Sequence, residues 1–194
     1  MAARVILLAG PSGSGKSRLA TRSGLPILQL DDFYRSGDDP ALPHFETGEV
    51  DWDDARSWHA DRALNALREL CRTGEATVPV YDIAANGPSG TQHLRLEGAT
   101  RFIAEGIFAA ELVAPCRAES LLDAAICVRR SRWITMLLRF RRDLAEHRKP
   151  VGFLVRRGWY LARREPTIIA ALEAKGCACR TPHQVRRYLQ PVGS

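Results

Sequence analysis

Residues 10–17 read Gly10-Pro11-Ser12-Gly13-Ser14-Gly15-Lys16-Ser17, a complete G-x-x-x-x-G-K-S/T phosphate-binding loop. No other stretch constrains the fold as strongly. The motif works only between a strand and a helix N-terminus. There its backbone N–H groups converge on phosphate oxygens and the helix dipole adds positive potential. Arg4-Val5-Ile6-Leu7-Leu8-Ala9 before it is an apolar run of strand length, and residues 17–22 after it can continue as a helix. Gly10, Gly13 and Gly15 allow backbone conformations that side chains forbid. The mechanism of such loops places Lys16 on the terminal phosphates and Ser17 on a magnesium ion.

The 194 residues suffice for one domain with a sizeable core, expected to span 1–194. No apolar run reaches membrane-spanning length, and the first apolar run opens directly into the loop rather than into a signal-peptide cleavage site. Five irregularly spaced cysteines do not form a disulfide framework, so the cytoplasm is the expected location. The net charge of +6 conceals a division. Residues 1–128 carry 12 Lys and Arg against 18 Asp and Glu, whereas residues 129–194 carry 16 against 4. The basic segment suits a solvated surface or the phosphates of a nucleotide, with nucleic acid the least expected partner.

Strand-like and helical runs alternate, which predicts an α/β fold with a five-stranded parallel sheet covered by helices. Strands are expected at 4–9, 26–30, 101–104, 123–128 and 176–180. Helices are expected at 15–23, 53–72, 131–147, 151–174 and from Pro182 onward, the last opened by Thr181 as N-cap. Two further runs, 77–81 and 93–96, predict a small hairpin turning at Asn86-Gly87-Pro88-Ser89-Gly90.

Phosphoryl transfer also needs a base, a metal shell and charge neutralisation, and in open α/β sheets these gather at the carboxyl ends of strands. Asp31, Asp32 and Glu105 stand at such ends. On an extended chain adjacent side chains point oppositely, so one of Asp31 and Asp32 is expected to face the phosphate.

Taken with the loop, an ordered set of motifs resembles the uridine kinase family, including nicotinamide riboside kinases. Asp31-Asp32-Phe33-Tyr34 is similar to its D-S/D-F-Y/F acceptor motif, Trp52-Asp53 to its ribose-gripping pair, and Val78-Pro79-Val80-Tyr81-Asp82 to its nucleoside-side segment. Ile103-Ala104-Glu105-Gly106-Ile107 resembles the strand whose Glu joins the magnesium site. Residues 139–146, Arg139-Phe140-Arg141-Arg142-Asp143-Leu144-Ala145-Glu146, resemble its lid helix, and the lid is expected at about 139–157. Two departures stand out: His147 replaces a lid arginine, and Asn86 stands where pyrimidine-selective members carry a histidine.

The resemblance implies a kinase that transfers the γ-phosphate of ATP to the 5′-hydroxyl of a uridine- or cytidine-like nucleoside. Asp31 is the implied base, with Lys16, Arg139 and Arg142 neutralising charge. Gly10, Ser12, Gly13, Ser14, Gly15, Lys16, Ser17 and Arg148 are implied to hold ATP. Asp31, Tyr34, Asp53, Tyr81, Asn86 and Arg139 are implied to hold the acceptor, and Ser17, Glu105 and Asp31 Mg²⁺. Other acceptors stay open: a vitamin riboside, pantothenate, a sugar or a nucleotide. So do a non-catalytic ATP-binding regulator, an RNA-binding role for the basic segment, and self-association.

Overall fold

The computed structural model describes residues 2–11, 13–130 and 166–190. Strand β1 (Arg4–Ala9) lies at the centre of a sheet ordered β2-β5-β1-β6-β7, with β2 at Ile27–Gln29, β5 at Arg101–Glu105, β6 at Leu122–Val128 and β7 at Ala178–Arg180. Every pairing in it is parallel, Leu8 lying in register with Glu105 on one side and Ile126 on the other. A strand flanked on both sides and covered on both faces must be apolar throughout, and Val5 to Ala9 are fully buried.

The period-two alternation divides β1 between two cores. Val5, Leu7 and Ala9 pack with α2 (Ala60–Thr73) and with α3 (Val113–Ala118) and the 3₁₀ turn Ala109–Leu112 before it. Ile6 and Leu8 pack on the opposite face with Ala20 of α1 (Lys16–Thr21) and with Val185 and Leu189 of α5 (Pro182–Leu189). Residues 166–174, here α4, are helical and place Ile169 and Leu172 in the first core. Helices therefore cover both faces, giving three layers. Truncating the fully buried Leu67 of α2 to Ala would cost about 2–5 kcal/mol through the cavity left behind.

Because the sheet strands run one way, their carboxyl ends share one edge. Ala9 leads into the phosphate loop, Gln29 to Asp31, Glu105 to Gly106 and Val128 to Arg130. The hairpin, β3 (Glu75–Asp82) with β4 (Gly87–Arg95), is a separate two-stranded antiparallel sheet. As its Thr-Pro opening predicts, α5 starts with a capping box: Thr181 Oγ1 accepts from the Gln184 N–H, and the Thr181 N–H donates to Gln184 Oε1.

Three sequence expectations need correction. The helix expected from 53 starts at Ala60, because the Asp54 carboxylate accepts from the Arg56 N–H and closes a 3₁₀ turn over Ala55–Ser57. Trp58 is then extended and bridges Tyr34. The hairpin turns at residues 83–86, earlier than expected, because Asp82 Oδ1 accepts from the Ala84 N–H and Asn86 takes a left-handed φ of 53°. Gly87–Gly90 consequently belong to β4. Residues 30–33 form a 3₁₀ turn, so Asp31 and Asp32 diverge because of a turn rather than an extended pleat. The expected helix 131–147 and most of 151–174, with the lid, lie outside the described residues. Among the described residues no helix is long and apolar enough to cross a membrane.

Candidate functional site

The phosphate loop is folded by close approach. Gly10 has φ 143°, and a Cβ there would stand 2.9 Å from the Val128 carbonyl oxygen, so the loop passes directly against the end of β6. Gly15, at φ 93°, is the left-handed residue that opens α1. Lys16 is buried, and its Nζ donates to the carbonyls of Gly10 (2.8 Å) and Pro11 (3.3 Å). These bonds draw the side chain back over its own loop. The Ser14 hydroxyl is buried with no hydrogen-bond partner among the described residues, an unsatisfied group inside a cradle built for an anion.

Two carboxylates face this loop. Glu105, the last residue of β5, is 4 % exposed. Burial raises its pKa, partly offset by the Ser17 hydroxyl and the Lys16 ammonium beside it and reinforced by Asp31. Asp31 is exposed to the cavity, at the foot of which Gly106 and Leu30 crowd it. Burial raises its pKa too, opposed by Lys16 and by the Ile107 N–H, which donates to Oδ1 at 3.4 Å. Both are carboxylates held above their usual range beside one ammonium, the condition in which a carboxylate becomes a stronger base.

A cavity of about 600 Å³ joins these groups: Gly13, Gly15, Lys16, Ser17, Asp31 and Glu105 all line it. Its walls are completed by Arg18 and Arg22 of α1, by Arg130, and by Pro182, His183 and Arg186 at the start of α5. A hydroxyl and two carboxylates beside a phosphate cradle suit a magnesium ion. That ion takes few protein ligands and completes its shell with water and phosphate oxygens.

The aromatic residues that the resemblance implies for the acceptor form an adjoining cluster around Tyr34. Its ring contacts Trp52 (5.7 Å between centroids), Phe108 (5.8 Å) and Tyr81 (6.0 Å), and Trp58 stacks on Phe108 at 5.4 Å. Burial raises the Tyr34 phenol, and Asp31, Asp53 and Tyr81 push the same way, so the hydroxyl lies within the field of two carboxylates. Asp32 turns away from the loop and accepts from the Tyr81 N–H at 3.1 Å, tying the hairpin to the strand end. Asp53 is exposed.

Asn86 is engaged by protein on both sides. Its Oδ1 lies 3.3 Å from the Tyr81 hydroxyl, its carbonyl accepts from the Gly37 N–H at 2.8 Å, and a Cβ on Gly37 would stand 1.9 Å from its Nδ2. It clasps the hairpin tip to the loop after β2.

Ser12, Arg139, Arg142 and Arg148 lie outside the described residues. Sequence reading missed Gly37, whose importance comes from a neighbour 49 positions away, and Arg130. It also assigned no role to Gly106, where a Cβ would stand 2.8 Å from Asp31 Oδ1. The available signal for Gly106 and Arg130 was their place just beyond the ends of central strands.

No protein-family profile matches the chain, and no curated protein does. Solved structures do. A protein provisionally described as a fructose transport system kinase, from Silicibacter sp. TM1040, superposes with TM-score 0.64 at 17% identity over 93% of this chain and 89% of its own. A possible uridine kinase from Bacillus stearothermophilus gives 0.51 at 18% over 75% and 81%. Phosphoribulokinase from Rhodobacter sphaeroides gives 0.52 at 14% over 89% and 67%. With its phosphate loop at the end of the central strand of a five-stranded parallel sheet, the chain has the fold of the P-loop kinases.

Proposed function

We propose that this chain is an ATP-dependent kinase that phosphorylates a hydroxyl group of a small, uncharged acceptor, with the 5′-hydroxyl of a nucleoside as the leading case. One observation carries the reading: the Asp31 carboxylate shares a cavity with Lys16, Ser17 and Glu105 and is near enough for its charge to bear on the hydroxyl of Tyr34, whose ring begins the aromatic cluster. A phosphate cradle and a base thus meet at one boundary.

In this mechanism the loop amides and Lys16 hold the polyphosphate, and Lys16 leaves its carbonyl partners to do so. Ser17 and Glu105, with Asp31 nearby, would hold Mg²⁺, which neutralises phosphate charge when bound. Asp31 receives the proton of the acceptor hydroxyl as that oxygen approaches phosphorus. Tyr34, Asp53 and Tyr81 orient the acceptor, and Asn86 keeps the hairpin in place. Arg139, Arg142 and Arg148 are assigned, by the family resemblance, to phosphate contacts that close over the site.

Among the described residues two carboxylates, Asp31 and Asp53, bear on the Tyr34 hydroxyl, which disfavours an acceptor that already bears phosphate or carboxylate. Aromatic rings beside carboxylates also suit a sugar. The likeness to the protein described as a fructose transport system kinase, over 93% of this chain, supports that second reading. An ADP-release screen with magnesium over nucleosides, free sugars and their phosphates tests both. ADP formed with nucleosides upholds the first, and with free sugars alone the second. ATP binding without ADP on any acceptor would make the chain a nucleotide-binding regulator instead.

A further inference from the structure

Arg130 has no role in that mechanism, yet its surroundings call for one. It lies two residues past the end of β6, on the sheet edge where the loop, Asp31 and Glu105 collect. The backbone leading into it is anchored at two successive residues. The preceding Arg129 N–H donates to the Arg180 carbonyl at 2.9 Å, and Val128 is pressed against Gly10. The side chain lines the donor cavity, with one Nη 3.5 Å from where a Cβ on Gly15 would lie. Its Nε is buried without an acceptor, and among the described residues no hydrogen bond or ion pair engages the guanidinium.

A buried N–H with no acceptor is costly, and a guanidinium fork is shaped for carboxylate or phosphate. The carboxylates of the cavity are not its partners. Among the described residues neither Asp31 nor Glu105 forms a hydrogen bond or ion pair with Arg130, whereas the Lys16 charge bears on both. Lys16 therefore lies toward the two carboxylates, and the Arg130 guanidinium toward Gly15.

We infer that Arg130 binds the non-transferred phosphates of the donor, closing a guanidinium over the loop at Gly15. This rests on the reading of the cavity as a polyphosphate site. Arg130 grips the part of the donor that does not change during the reaction, so it contributes to donor affinity and leaves the chemical step to Lys16 and Asp31.

The test measures binding of inorganic tripolyphosphate and of MgATP to the whole chain by calorimetry, in wild type, Lys16→Ala, Arg130→Ala, Arg130→Gln and Arg72→Ala. Arg72 lies on α2, outside the cavity, and controls for loss of a positive charge. Arg130→Ala and Arg130→Gln are expected to weaken both ligands roughly tenfold or more, as loss of a charge-assisted contact does. Arg72→Ala should bind as wild type, and the ligand-free melting temperature of the Arg130 variants should hold or rise. KM for MgATP should increase with kcat little changed. Wild-type affinity in Arg130→Gln, or an equal loss in Arg72→Ala, overturns the assignment while leaving the cavity reading intact. A wild-type protein that binds neither ligand removes the cavity reading itself, and the assignment with it.

Discussion

Gly106 and Asp31 are in such close contact that no side chain fits between them: a Cβ on Gly106 would stand 2.8 Å from Asp31 Oδ1 and 2.8 Å from Leu30 Cβ. The bare backbone at the end of β5 thus fixes how near the candidate base sits to the loop. Gly106→Ala should displace the Asp31 carboxylate and lower kcat while MgATP affinity stays close to wild type. Overpacking of this kind costs about 1–3 kcal/mol of stability. Steady-state kinetics with thermal denaturation checks both parts, and unchanged kcat would separate Asp31 from the chemistry.

Replacing Asp31 by Asn removes the proton acceptor but keeps the shape. Turnover should fall roughly 10²- to 10⁴-fold, the usual contribution of a general base. Nucleotide binding, measured by calorimetry, should survive. A variant that turns over at the wild-type rate would place the base elsewhere.

Glu105 gives a stability signature. Burial first, and Asp31 to a smaller degree, hold its pKa above the carboxylate range despite Ser17 and Lys16. A carboxyl group with a raised native pKa keeps its proton better in the folded than in the unfolded state. Its contribution to stability therefore falls as pH rises from the ordinary carboxylate range through the raised value, and returns on acidification. Glu105→Gln should raise the ligand-free melting temperature near neutral pH, and the gain should shrink as the pH drops below that window. The same substitution should weaken magnesium-dependent activity. A lower melting temperature at neutral pH would show that Glu105 stabilises the fold.

The clasp between Gly37 and Asn86 predicts a separation of kinetic effects. A methyl group on Gly37 would fall 1.9 Å from Asn86 Nδ2 and 2.7 Å from its Cγ, driving the Asn86 side chain out of place and breaking its bond with the Tyr81 hydroxyl. Gly37→Ala should raise KM for the acceptor with little change in KM for MgATP. Equal changes in both would mean that the tip and the donor cavity move as one unit.

What could be read from the residues followed the range of the forces involved. The loop, β1, the parallel sheet and the Thr181-Pro182 helix start are set by local patterns, and each matches the structure. The start of α2 was misplaced because a single Asp54 hydrogen bond outweighs the helical periodicity that precedes Ala60. The hairpin turn was misplaced because Asn86, not one of the nearby glycines, takes the left-handed turn conformation. At the site, Asp31 and Glu105 could be found because strand ends are visible in sequence. Gly37, and the crowding that makes Gly106 necessary, could not be, because each depends on a neighbour distant along the chain.

Among the described residues the hairpin β3–β4 pairs only with itself, while the cradle, Glu105 and the exit of β6 belong to the main sheet. Among the described residues its ladder shares no hydrogen bond with the strands of the parallel sheet, although Ala76 and Val78 pack into the core beneath that sheet. Under the proposed function, acceptor preference and phosphate chemistry therefore sit on separate pieces of polypeptide, and exchanging the ribbon would retune the first without rebuilding the second.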